Sequence, residues 1–361
     1  MRVVVAMSGG VDSSVAAALL ARDGHDVIGL SMQLYDHSQR AESGHSQGEI
    51  RFGSCCTIDD LYDARRVAAA IGIPHYIVNF ERKFEEHDVS DFVREYAAGR
   101  TPIPCVHCNG DLKFASLVER AESFGAQAVA TGHYAQVDFD EETRRYRLKR
   151  GVDAAKDQSY FLFTLTQAQL ARARFPIGAL DKPAVREEAR RLGLRVAEKK
   201  DSQEICFVAS GEHAGFVGNR AEIPAGVIKD RDGRVLGRHD GVHRFTIGQR
   251  KGLGLATGIP LYVVDIDAAQ AAVTVGPRED LERTTLTASR VNWMSGEVPV
   301  SPVRASARIR YRHREALATI TPLGDDRVSI AFDAPQSAIT PGQAAVFYDS
   351  DVVLGGGWID G

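Results

Sequence analysis

The sequence predicts a doubly wound parallel α/β sheet followed by two small β-rich domains, the last of them a β-barrel. Strands and helices alternate in the first half of the chain, whereas short apolar runs rich in Gly and Val follow from about residue 210. The pair Gly276-Pro277 separates two such β-rich regions. At 361 residues the chain is long enough for two or three cores. We therefore expect domains at 1–209, 210–277 and 278–361.

Apolar periodicity and breaker residues define the elements of the first half. One helix stops at Gly72, and another has Pro183 in its first turn and Gly193 at its end. Strands that alternate with helices imply a parallel sheet whose ligands bind at the carboxyl ends of the strands. We expect strands at 2–6, 27–32, 75–79 and 126–130, and helices at 15–22, 57–71, 80–97, 111–123 and 182–193.

The second half is predicted to contain short strands only. Residues 226–237 form a hairpin whose turn is Asp230-Arg231-Asp232-Gly233. A small antiparallel barrel is expected for the last six strands, because closure removes exposed sheet edges. The other expected strands are 243–247, 261–266, 272–275, 286–293, 303–313, 316–321, 328–332, 343–348 and 352–359.

The overall composition favours a globular protein of the cytoplasm. Hydrophobic residues make up 44% of the chain and charged residues 25%, with a formal net charge of −4. No apolar run is long enough for a bilayer, and residues 2–7 are too short for a signal peptide, so we expect no membrane partner. The five cysteines, an odd number, favour reactive or metal-ligating thiols over a disulfide framework.

The first strand leads into the glycine loop, Ser8-Gly9-Gly10-Val11-Asp12-Ser13-Ser14, and then into a helix. Unpaired backbone N–H groups at the positive end of a helix dipole form an anion site, which glycines let an anion approach closely. The loop lacks the G-x-x-x-x-G-K-[ST] pattern of a Walker loop. It resembles the pyrophosphate-binding loop of the N-type ATP pyrophosphatases, which split ATP into AMP and pyrophosphate to adenylate a substrate. The alternative is an ordinary capped glycine turn.

Three cysteines form the next signal. Cys105 and Cys108 lie in a proline-stiffened loop just before a predicted helix, whose N-terminus would lower a thiol pKa and favour the nucleophilic thiolate. Cys206 lies near the basic residues Lys199 and Lys200. The alternative is three unrelated small hydrophobic residues, for which a polar loop flanked by prolines is a poor place. Cys55-Cys56, at a helix start, is expected to be structural.

Basic side chains recur with strand periodicity, which predicts a local RNA-binding surface on an acidic chain. On a strand, alternate residues project from one face. Any single row is also explained by a solvated face, but several rows favour RNA. The rows are Arg308, Arg310, Arg312 and Arg314, with Tyr311 facing a core, then Arg145, Arg147 and Lys149, and a third patch at Arg250-Lys251.

Six motifs occur together: 8–14, 101–109, Thr131-Gly132-His133-Tyr134-Ala135, 156–162, 201–207 and 248–254. Together they resemble the tRNA-specific 2-thiouridylases (the MnmA/TrmU family), and the resemblance extends over essentially the whole chain to Trp358. It implies an enzyme that adenylates O2 of the wobble uridine, position 34, in tRNAs for Lys, Glu and Gln, and then replaces that oxygen with sulfur. It also implies ATP, Mg²⁺ and a sulfur donor such as a cysteine desulfurase or a sulfur-relay protein.

The resemblance implies a role for individual residues. The nucleotide contacts are Ala6, Met7, Ser8, Gly9, Gly10, Val11, Asp12, Ser13, Met32 and Gly132. The tRNA contacts are Ile103, Pro104, Cys105, His133, Lys156, Asp157, Gln158, Tyr311, Arg312 and Gln343. The catalytic residues are Cys108 and Cys206 for sulfur delivery, with Cys105 and Asp12.

One departure from the family pattern affects the mechanism. Ile103 and Cys105 stand where the family has Asn and Asp. In the family scheme Cys206 carries a persulfide and forms a disulfide with Cys108, but this chain lacks the Asp proposed to assist. Cys105, Cys108 and Cys206 instead suit three corners of a [4Fe–4S] cluster whose fourth iron holds a sulfide. We favour the cluster over the persulfide; a zinc site completed by His107 is the third alternative.

Three other classes of function compete with thiolation. Another adenylating ligase or synthetase with the same loop, acting on a small acceptor, would need neither the cysteines nor the arginine rows. A non-catalytic RNA-binding protein would need only the β domains. A redox-sensing cysteine protein would leave the glycine loop unexplained.

Overall fold

A computed structural model describes residues 1–34, 58–201, 205–208 and 211–360, so Cys55 and Cys56 lie outside the described residues. The N-terminal domain is built on a parallel sheet with the strand order β3-β2-β1-β4-β7. Because β1 and β4 are neighbours, the chain reverses its direction of winding between them, which is where doubly wound sheets bind ligands. The strands are β1 (Arg2–Ala6), β2 (Asp26–Gln33), β3 (His75–Asn79), β4 (Ala128–Ala130) and β7 (Ala173–Arg174).

Helices cover both faces of this sheet, as the alternating pattern predicts. Val3 and Val5 of β1 pack in one apolar cluster with α1, α2 and α8, whereas Val4 faces a second cluster with α3, α4 and α6. The helices are α1 (Val11–Arg22), α2 (Ile58–Ile71), α3 (Glu81–Phe84), α4 (Ser90–Ala97), α5 (Pro104–His107), α6 (Ala115–Ser123), α7 (Gln167–Arg172), α8 (Lys182–Arg191) and α9 (His213–Gly218).

The helix predicted at 111–123 begins earlier, at Pro104. A proline suits the first turn of a helix because its missing N–H has no partner there in any case. From α5 the chain continues through a π-helical turn (Cys108–Phe114) into α6. Cys105 and Cys108 therefore lie on a helix, not on the loop before it.

The central domain has a sheet of order β10-β11-β8-β9. Ile228, Val263, Val273 and Val275 form its apolar core. Its strands are β8 (Gly226–Lys229), β9 (Val235–His239), β10 (Tyr262–Asp267) and β11 (Ala272–Gly276). The strand predicted at 243–247 is wrong, because a 3₁₀ turn (Val242–Arg244) occupies its first residues.

The C-terminal domain is a closed antiparallel barrel, as predicted. The order β12-β15-β14-β13-β16-β17 is closed by a pairing of β12 with β17, so these strands form a ring. A hairpin from the first half of the chain, β5 (Ala135–Asp140) and β6 (Arg145–Arg150), adds to β17. The barrel strands are β12 (Glu282–Trp293), β13 (Val303–Arg308), β14 (Ala316–Gly324), β15 (Arg327–Ser337), β16 (Ala344–Asp349) and β17 (Val352–Ile359).

The N-terminal domain and the barrel share one apolar core. Phe163 packs with Val346 and Trp358 in the same cluster as residues of the parallel sheet. The Tyr160 hydroxyl donates a hydrogen bond of 2.8 Å to the carbonyl of Ala344. This shared core fixes the barrel against the N-terminal domain. Of the helices that the structure describes, none has the length and apolar character needed to cross a membrane.

Candidate nucleotide and thiol site

The glycine loop turns from β1 into α1 with its own side chains satisfied internally. The Ser13 hydroxyl accepts from the Ser8 backbone N–H at 3.1 Å, and the Ser14 hydroxyl donates to the Gly10 carbonyl at 2.8 Å. Gly9 has a φ of +72°, and a Cβ there would overlap the carbonyl oxygen of Asp60. The loop therefore needs glycine at position 9 both for its backbone conformation and for its fit against α2.

Gly132 brings the end of β4 against the start of α1. A Cβ at Gly132 would lie 2.5 Å from the backbone nitrogen of Ser13. Met32, near the end of β2, is buried at the same edge of the sheet. The residues to which the resemblance assigns nucleotide contacts thus meet at the carboxyl edge of the parallel strands, and their ligand roles remain predictions.

A network of charges surrounds Asp12. Nζ of Lys182, the first residue of α8, lies 2.8 Å from Oδ1 of Asp12 and 2.7 Å from Oδ1 of Asp201. The Tyr134 hydroxyl donates to Oδ1 of Asp12 at 2.8 Å. Burial and the negative charge of Asp12 raise the pKa of Tyr134, so its hydroxyl stays protonated as a donor.

Asp201 ties this network to two further cations. Oδ2 of Asp201 lies 2.6 Å from Nζ of Lys156, and Oδ1 lies 3.0 Å from the Arg186 guanidinium. Burial disfavours the carboxylate form of Asp201, but the hydrogen bonds from Lys156 and Lys182 outweigh burial and lower its pKa. The side of the glycine loop that faces α8 is therefore rich in cations, which suits phosphate binding.

A second lysine contacts the loop directly. Nζ of Lys199 donates to the Gly9 carbonyl at 3.0 Å and lies 2.6 Å from carboxylate oxygens of both Asp60 and Asp63. Burial lowers the pKa of Lys199, yet these two carboxylates raise it above its ordinary value. Sequence analysis placed Lys199 beside Cys206 and missed its contact with the loop.

Lys182 was also missed as a site residue. Lys182 begins the helix that follows β7, and the carboxyl end of β7 lies at the edge of the sheet where ligands bind. This position could have indicated a site residue. Asp60 gave no comparable signal, because the sequence shows it as one of several acidic residues at the start of α2.

The three cysteines differ in exposure. Cys105 is exposed, Cys108 is buried in the core shared with the barrel, and Cys206 is partly buried against that same core. In the described parts of the chain, no three His, Cys, Asp or Glu side chains are placed to hold a metal ion. This finding gives no support to a zinc ion held by the cysteines and His107. Thiolates on a [4Fe–4S] cluster bind different irons and lie further apart than the ligands of one ion, so the cluster that the sequence favours stays a prediction.

The segment before Cys105 is covered by the barrel. Ile103 and Pro104 are buried. Nε2 of Gln343 donates to the carbonyl of Thr101 at 2.9 Å. These contacts place the predicted tRNA contacts Ile103, Pro104, Cys105 and Gln343 together in one region.

The motif 156–158 makes contacts within the protein. Asp157 is buried and accepts from the backbone N–H groups of Gly151 and Ser159 at 3.2 and 3.1 Å. The Gln158 side chain accepts from the backbone N–H of Tyr134 at 3.0 Å. Gln158 therefore holds the backbone at Tyr134, and Asp157 holds the backbone on both sides of its own turn. Lys156 pairs with Asp201 as described above.

His133 connects the nucleotide edge to the cysteine helix. Its ring lies 6.4 Å from the ring of Phe114, which ends the π-helical turn that begins at Cys108. Nδ1 of His133 lies 2.7 Å from the Thr131 hydroxyl. Burial, with a contribution from Lys113, lowers the pKa of His133 to about 3, so the imidazole is neutral at pH 7.

The prediction that Arg308, Arg310, Arg312 and Arg314 project from one face of a strand is wrong. Ala307 pairs with Ala316, so the intervening residues must reverse the chain and β13 ends at Arg308. Arg308 lies 3.7 Å from Asp157, and Arg310 donates to the carbonyls of Ser337 and Ala338. Arg312 and Arg314 are exposed, and Tyr311 packs on Phe161 with 4.4 Å between ring centroids.

The second predicted row lies on β6, but acidic partners neutralise it. Arg147 lies 2.8 Å from Asp138 and 3.3 Å from Asp140, and Lys149 lies 2.9 Å from Asp351. Arg145 pairs with Glu297. This row is therefore charge-paired within the protein, which favours the solvated face over the RNA-binding surface, and its role in RNA binding stays a prediction.

Three protein families match successive parts of the chain. The tRNA methyl transferase HUP domain matches residues 1–210, the tRNA methyl transferase PRC-barrel domain matches residues 214–277, and the aminomethyltransferase beta-barrel domain matches residues 283–359.

Full-length relatives give a more specific assignment. The chain is 55% identical to the tRNA-specific 2-thiouridylase MnmA of Solibacter usitatus (strain Ellin6076), with 99% of each chain covered. It is 53% identical to the protein of that name in Geotalea uraniireducens (strain Rf4), covering 99% of this chain and 95% of the relative. The tRNA-specific 2-thiouridylase MnmA of Koribacter versatilis (strain Ellin345) is 50% identical, covering 99% of this chain and 98% of the relative. The chain belongs to the tRNA-specific 2-thiouridylase MnmA family.

Proposed function

We propose that this protein catalyses the ATP-dependent 2-thiolation of the wobble uridine of tRNA, with tRNAs for Lys, Glu and Gln as acceptors. The contact between His133 and Phe114 is the observation that carries the proposal. His133 directly follows Gly132 at the nucleotide edge, and Phe114 lies on the helix that carries Cys108. An adenylating site and a thiol helix are thus in contact, which a ligase for a small acceptor does not require.

The first step uses the glycine loop. ATP binds with its phosphates at the N-terminus of α1, near the ammonium group of Lys182. The uridine O2 attacks the α-phosphorus, the bond to the β-phosphate oxygen breaks, and pyrophosphate leaves. The cations around Asp201 offset the charge of the pyrophosphate, and adenylation turns a poor leaving oxygen into AMP.

The second step delivers sulfur. The terminal sulfur of a persulfide on Cys206 attacks C2 and expels AMP. The Cys108 thiolate then attacks Sγ of Cys206, the persulfide S–S bond breaks, and thiolated uridine leaves with a Cys108–Cys206 disulfide behind. A cysteine desulfurase or a sulfur-relay protein supplies the persulfide, and an external dithiol returns two electrons. Both cysteines contact the large apolar core that the N-terminal domain shares with the barrel, and their pairing in this step is part of the proposal.

Mg²⁺ fits the nucleotide side of the site. Magnesium ions that serve phosphoryl chemistry are held by one or two carboxylates together with substrate phosphates. The Asp12 side chain is 31% exposed at the start of α1, so its carboxylate is accessible to such an ion. Asp12 would hold the metal, which would neutralise charge on the phosphates. A [4Fe–4S] cluster would be held by Cys105, Cys108 and Cys206, and it would supply sulfide as the alternative sulfur donor.

The test is mass spectrometry of nucleosides from unmodified tRNA incubated with the protein, ATP, a cysteine desulfurase with L-cysteine as the persulfide donor, and a dithiol. We expect 2-thiouridine at position 34, with AMP and pyrophosphate released in equal amounts. ATP–pyrophosphate exchange driven by a small acid without tRNA would instead support another adenylating ligase. Loss of Asp12, as Asp12→Ala, should abolish nearly all turnover, whereas a non-catalytic RNA-binding protein would be unaffected.

Anaerobic purification separates the two sulfur schemes. Colourless, iron-free protein that thiolates tRNA from a persulfide donor would support the persulfide on Cys206. In that case Cys206→Ser and Cys108→Ser should each abolish 2-thiouridine while pyrophosphate release continues, and Cys206→Ser should also stop the expulsion of AMP. Iron and acid-labile sulfide that are required for thiolation would overturn the persulfide scheme in favour of the cluster.

A further inference from the structure

The barrel contacts both ends of residues 101–108, here called the cysteine segment. At its start, the Thr101 backbone N–H donates to the Pro341 carbonyl at 2.9 Å, and Nε2 of Gln343 donates to the Thr101 carbonyl at 2.9 Å. At its end, the His107 ring stacks on Trp358 of β17, with 4.9 Å between centroids and 26° between planes. Cys105 lies between these two contacts, and Cys108 directly follows the second.

The backbone of Gly342 in the barrel packs closely against Thr101. Gly342 has a φ of +87°, and a Cβ there would lie 3.0 Å from the Thr101 carbonyl oxygen and 3.1 Å from Cβ of Arg100. Only glycine combines that backbone conformation with that proximity. The turn 341–343 is therefore shaped to receive the start of the cysteine segment.

Trp358 is itself held in place. It is 9% exposed, its ring lies 5.3 Å from Phe163, and the Arg290 guanidinium lies 4.4 Å from its centroid. Aromatic packing and a cation–π contact fix the orientation of an indole ring. Trp358 is thus a rigid surface for His107 and does not adapt to it.

The amide of Gln343 is engaged with the protein. Besides Thr101, its Nε2 lies 3.4 Å from the carbonyl of Pro102. A side-chain amide has two N–H donors, and two backbone carbonyls of the cysteine segment face them. The tRNA contact that the resemblance implies for Gln343 would have to compete with these bonds.

We infer that Gln343 and Trp358 are positioning residues for sulfur transfer, which act by holding the two ends of the cysteine segment. The inference rests on the proposed function, and it assigns the barrel a role besides tRNA binding. Adenylation takes place at the glycine loop and depends less on this segment. Sulfur transfer needs the thiol groups placed to within a fraction of an ångström, since a misplacement of about 1 Å costs on the order of 100-fold in rate.

The test compares Gln343→Ala and Trp358→Leu with the matched control Gln336→Ala. Gln336 also lies in the barrel, and its Nε2 donates to two backbone carbonyls, those of Ala334 and Pro335, away from the cysteine segment. Each full-length protein receives ATP, an unmodified tRNA transcript and, as the persulfide donor, a cysteine desulfurase with L-cysteine, in single-turnover reactions. The readouts are 2-thiouridine formation, pyrophosphate release, tRNA affinity and the alkylation rate of the exposed Cys105 thiol.

We expect both variants to form 2-thiouridine at least about tenfold more slowly. Their pyrophosphate release and tRNA affinity should stay within about twofold of wild type, and Cys105 alkylation should change about threefold or more. Trp358→Phe, which keeps an aromatic ring, should recover part of the loss. Gln336→Ala should behave as wild type in all four readouts.

Three results would overturn the inference. The first is a loss of tRNA affinity in Gln343→Ala, which would make Gln343 a tRNA ligand. The second is an equal loss of pyrophosphate release and 2-thiouridine, which would place the defect in adenylation. The third is an equal effect of Gln336→Ala, which would indicate general damage to the barrel. If the wild-type protein formed no 2-thiouridine, the proposed function itself would be overturned. If the wild type were active and both variants formed 2-thiouridine at the same rate, only this inference would be overturned.

Discussion

Lys182 and Asp12 form an ion pair beside the glycine loop, with Nζ 2.8 and 2.9 Å from the two carboxylate oxygens. Asp201 contacts the same ammonium group at 2.7 Å, and the Lys182 side chain is 9% exposed. A lysine buried between two carboxylates keeps its charge fixed in position. It is therefore preorganised to meet the phosphates of ATP without moving a flexible side chain into place.

We expect Lys182→Met to lower the rate of pyrophosphate release by about 100-fold, which corresponds to about 2.7 kcal/mol of transition-state stabilisation. The substitution also removes the cation paired with Asp12, while Asp201 keeps Lys156 and Arg186, so the free energy of unfolding should fall by roughly 1–3 kcal/mol. Lys182→Arg keeps the positive charge, so both the reaction rate and the free energy of unfolding should fall less than in Lys182→Met. Pyrophosphate release and urea unfolding measure the two effects separately.

Thermal unfolding with and without ATP distinguishes lost binding from lost folding. Wild type and Lys229→Met, a substitution on β8 in the central domain, should both gain stability from ATP, whereas Lys182→Met should not. A Lys182→Met protein that is folded and gains as much from ATP as wild type would show that the ammonium group does not bind the phosphates.

His133 should make stability depend on pH. Its pKa is lowered to about 3 in the folded protein, chiefly by burial, from 6.5 in the unfolded chain. The unfolded chain therefore binds the proton first, and the stability that neutral His133 contributes is present above pH 6.5 and lost as pH falls towards 3. Between pH 6.5 and 5 this loss is about 2 kcal/mol.

Urea unfolding of wild type and His133→Gln at pH 7 and pH 5 measures this contribution. Other histidines, among them the half-buried His75 and the buried His243, also have lowered pKa values and remain in both proteins, so the difference between the two isolates His133. Wild type should lose more stability on acidification than the variant. Equal losses would mean that His133 titrates normally in the folded protein.

The basic side chains differ in their availability to RNA. Arg312 is exposed on the turn after β13, whereas Arg147 is paired with Asp138 and Asp140. We expect Arg312→Ala to weaken tRNA binding about tenfold and to lower the slope of log K against log salt by about one. Arg147→Ala should change neither, because its charge is already neutralised within β5 and β6.

Filter binding of labelled tRNA at several salt concentrations gives both quantities. A Tyr311→Ala variant serves as a structural comparison, because Tyr311 packs on Phe161 and should affect the turn without changing the salt slope. If Arg147→Ala weakened tRNA binding as much as Arg312→Ala, the RNA surface would include the hairpin of β5 and β6.

Much of the fold could be predicted because local signals and tertiary packing agree. Strands β1, β3 and β17 were predicted with their observed bounds, since each is a short apolar or β-branched run between clear breakers. The glycine loop followed from the same logic. The alternation of apolar residues predicted the barrel strands, although the turn after Arg308 was missed, because pairing of Ala307 with Ala316 fixes it and no local residue signals it.

The candidate site was less predictable where it depends on contacts between distant segments. Lys199 contacts the glycine loop and pairs with Asp60 and Asp63, which lie more than a hundred residues before it in the sequence. The pairing of Arg147 with Asp138 likewise depends on a hairpin whose first strand was not predicted. Charge alternation in a sequence shows which side chains share a face but not which acids lie opposite them.

Gly9 offers the sharpest test of the loop, because two costs can be separated there. Gly9 and Gly72 have similar backbone conformations, with φ of +72° and +75°, but a Cβ at Gly72 would meet nothing within 4 Å, whereas one at Gly9 would overlap the backbone of Asp60. Gly72→Ala should therefore cost only the conformational term, roughly 1–2 kcal/mol. Gly9→Ala adds roughly 1–3 kcal/mol of overlap and should also abolish stabilisation by ATP. Equal losses of unfolding free energy, with ATP stabilisation intact in both variants, would show that α2 does not constrain the loop.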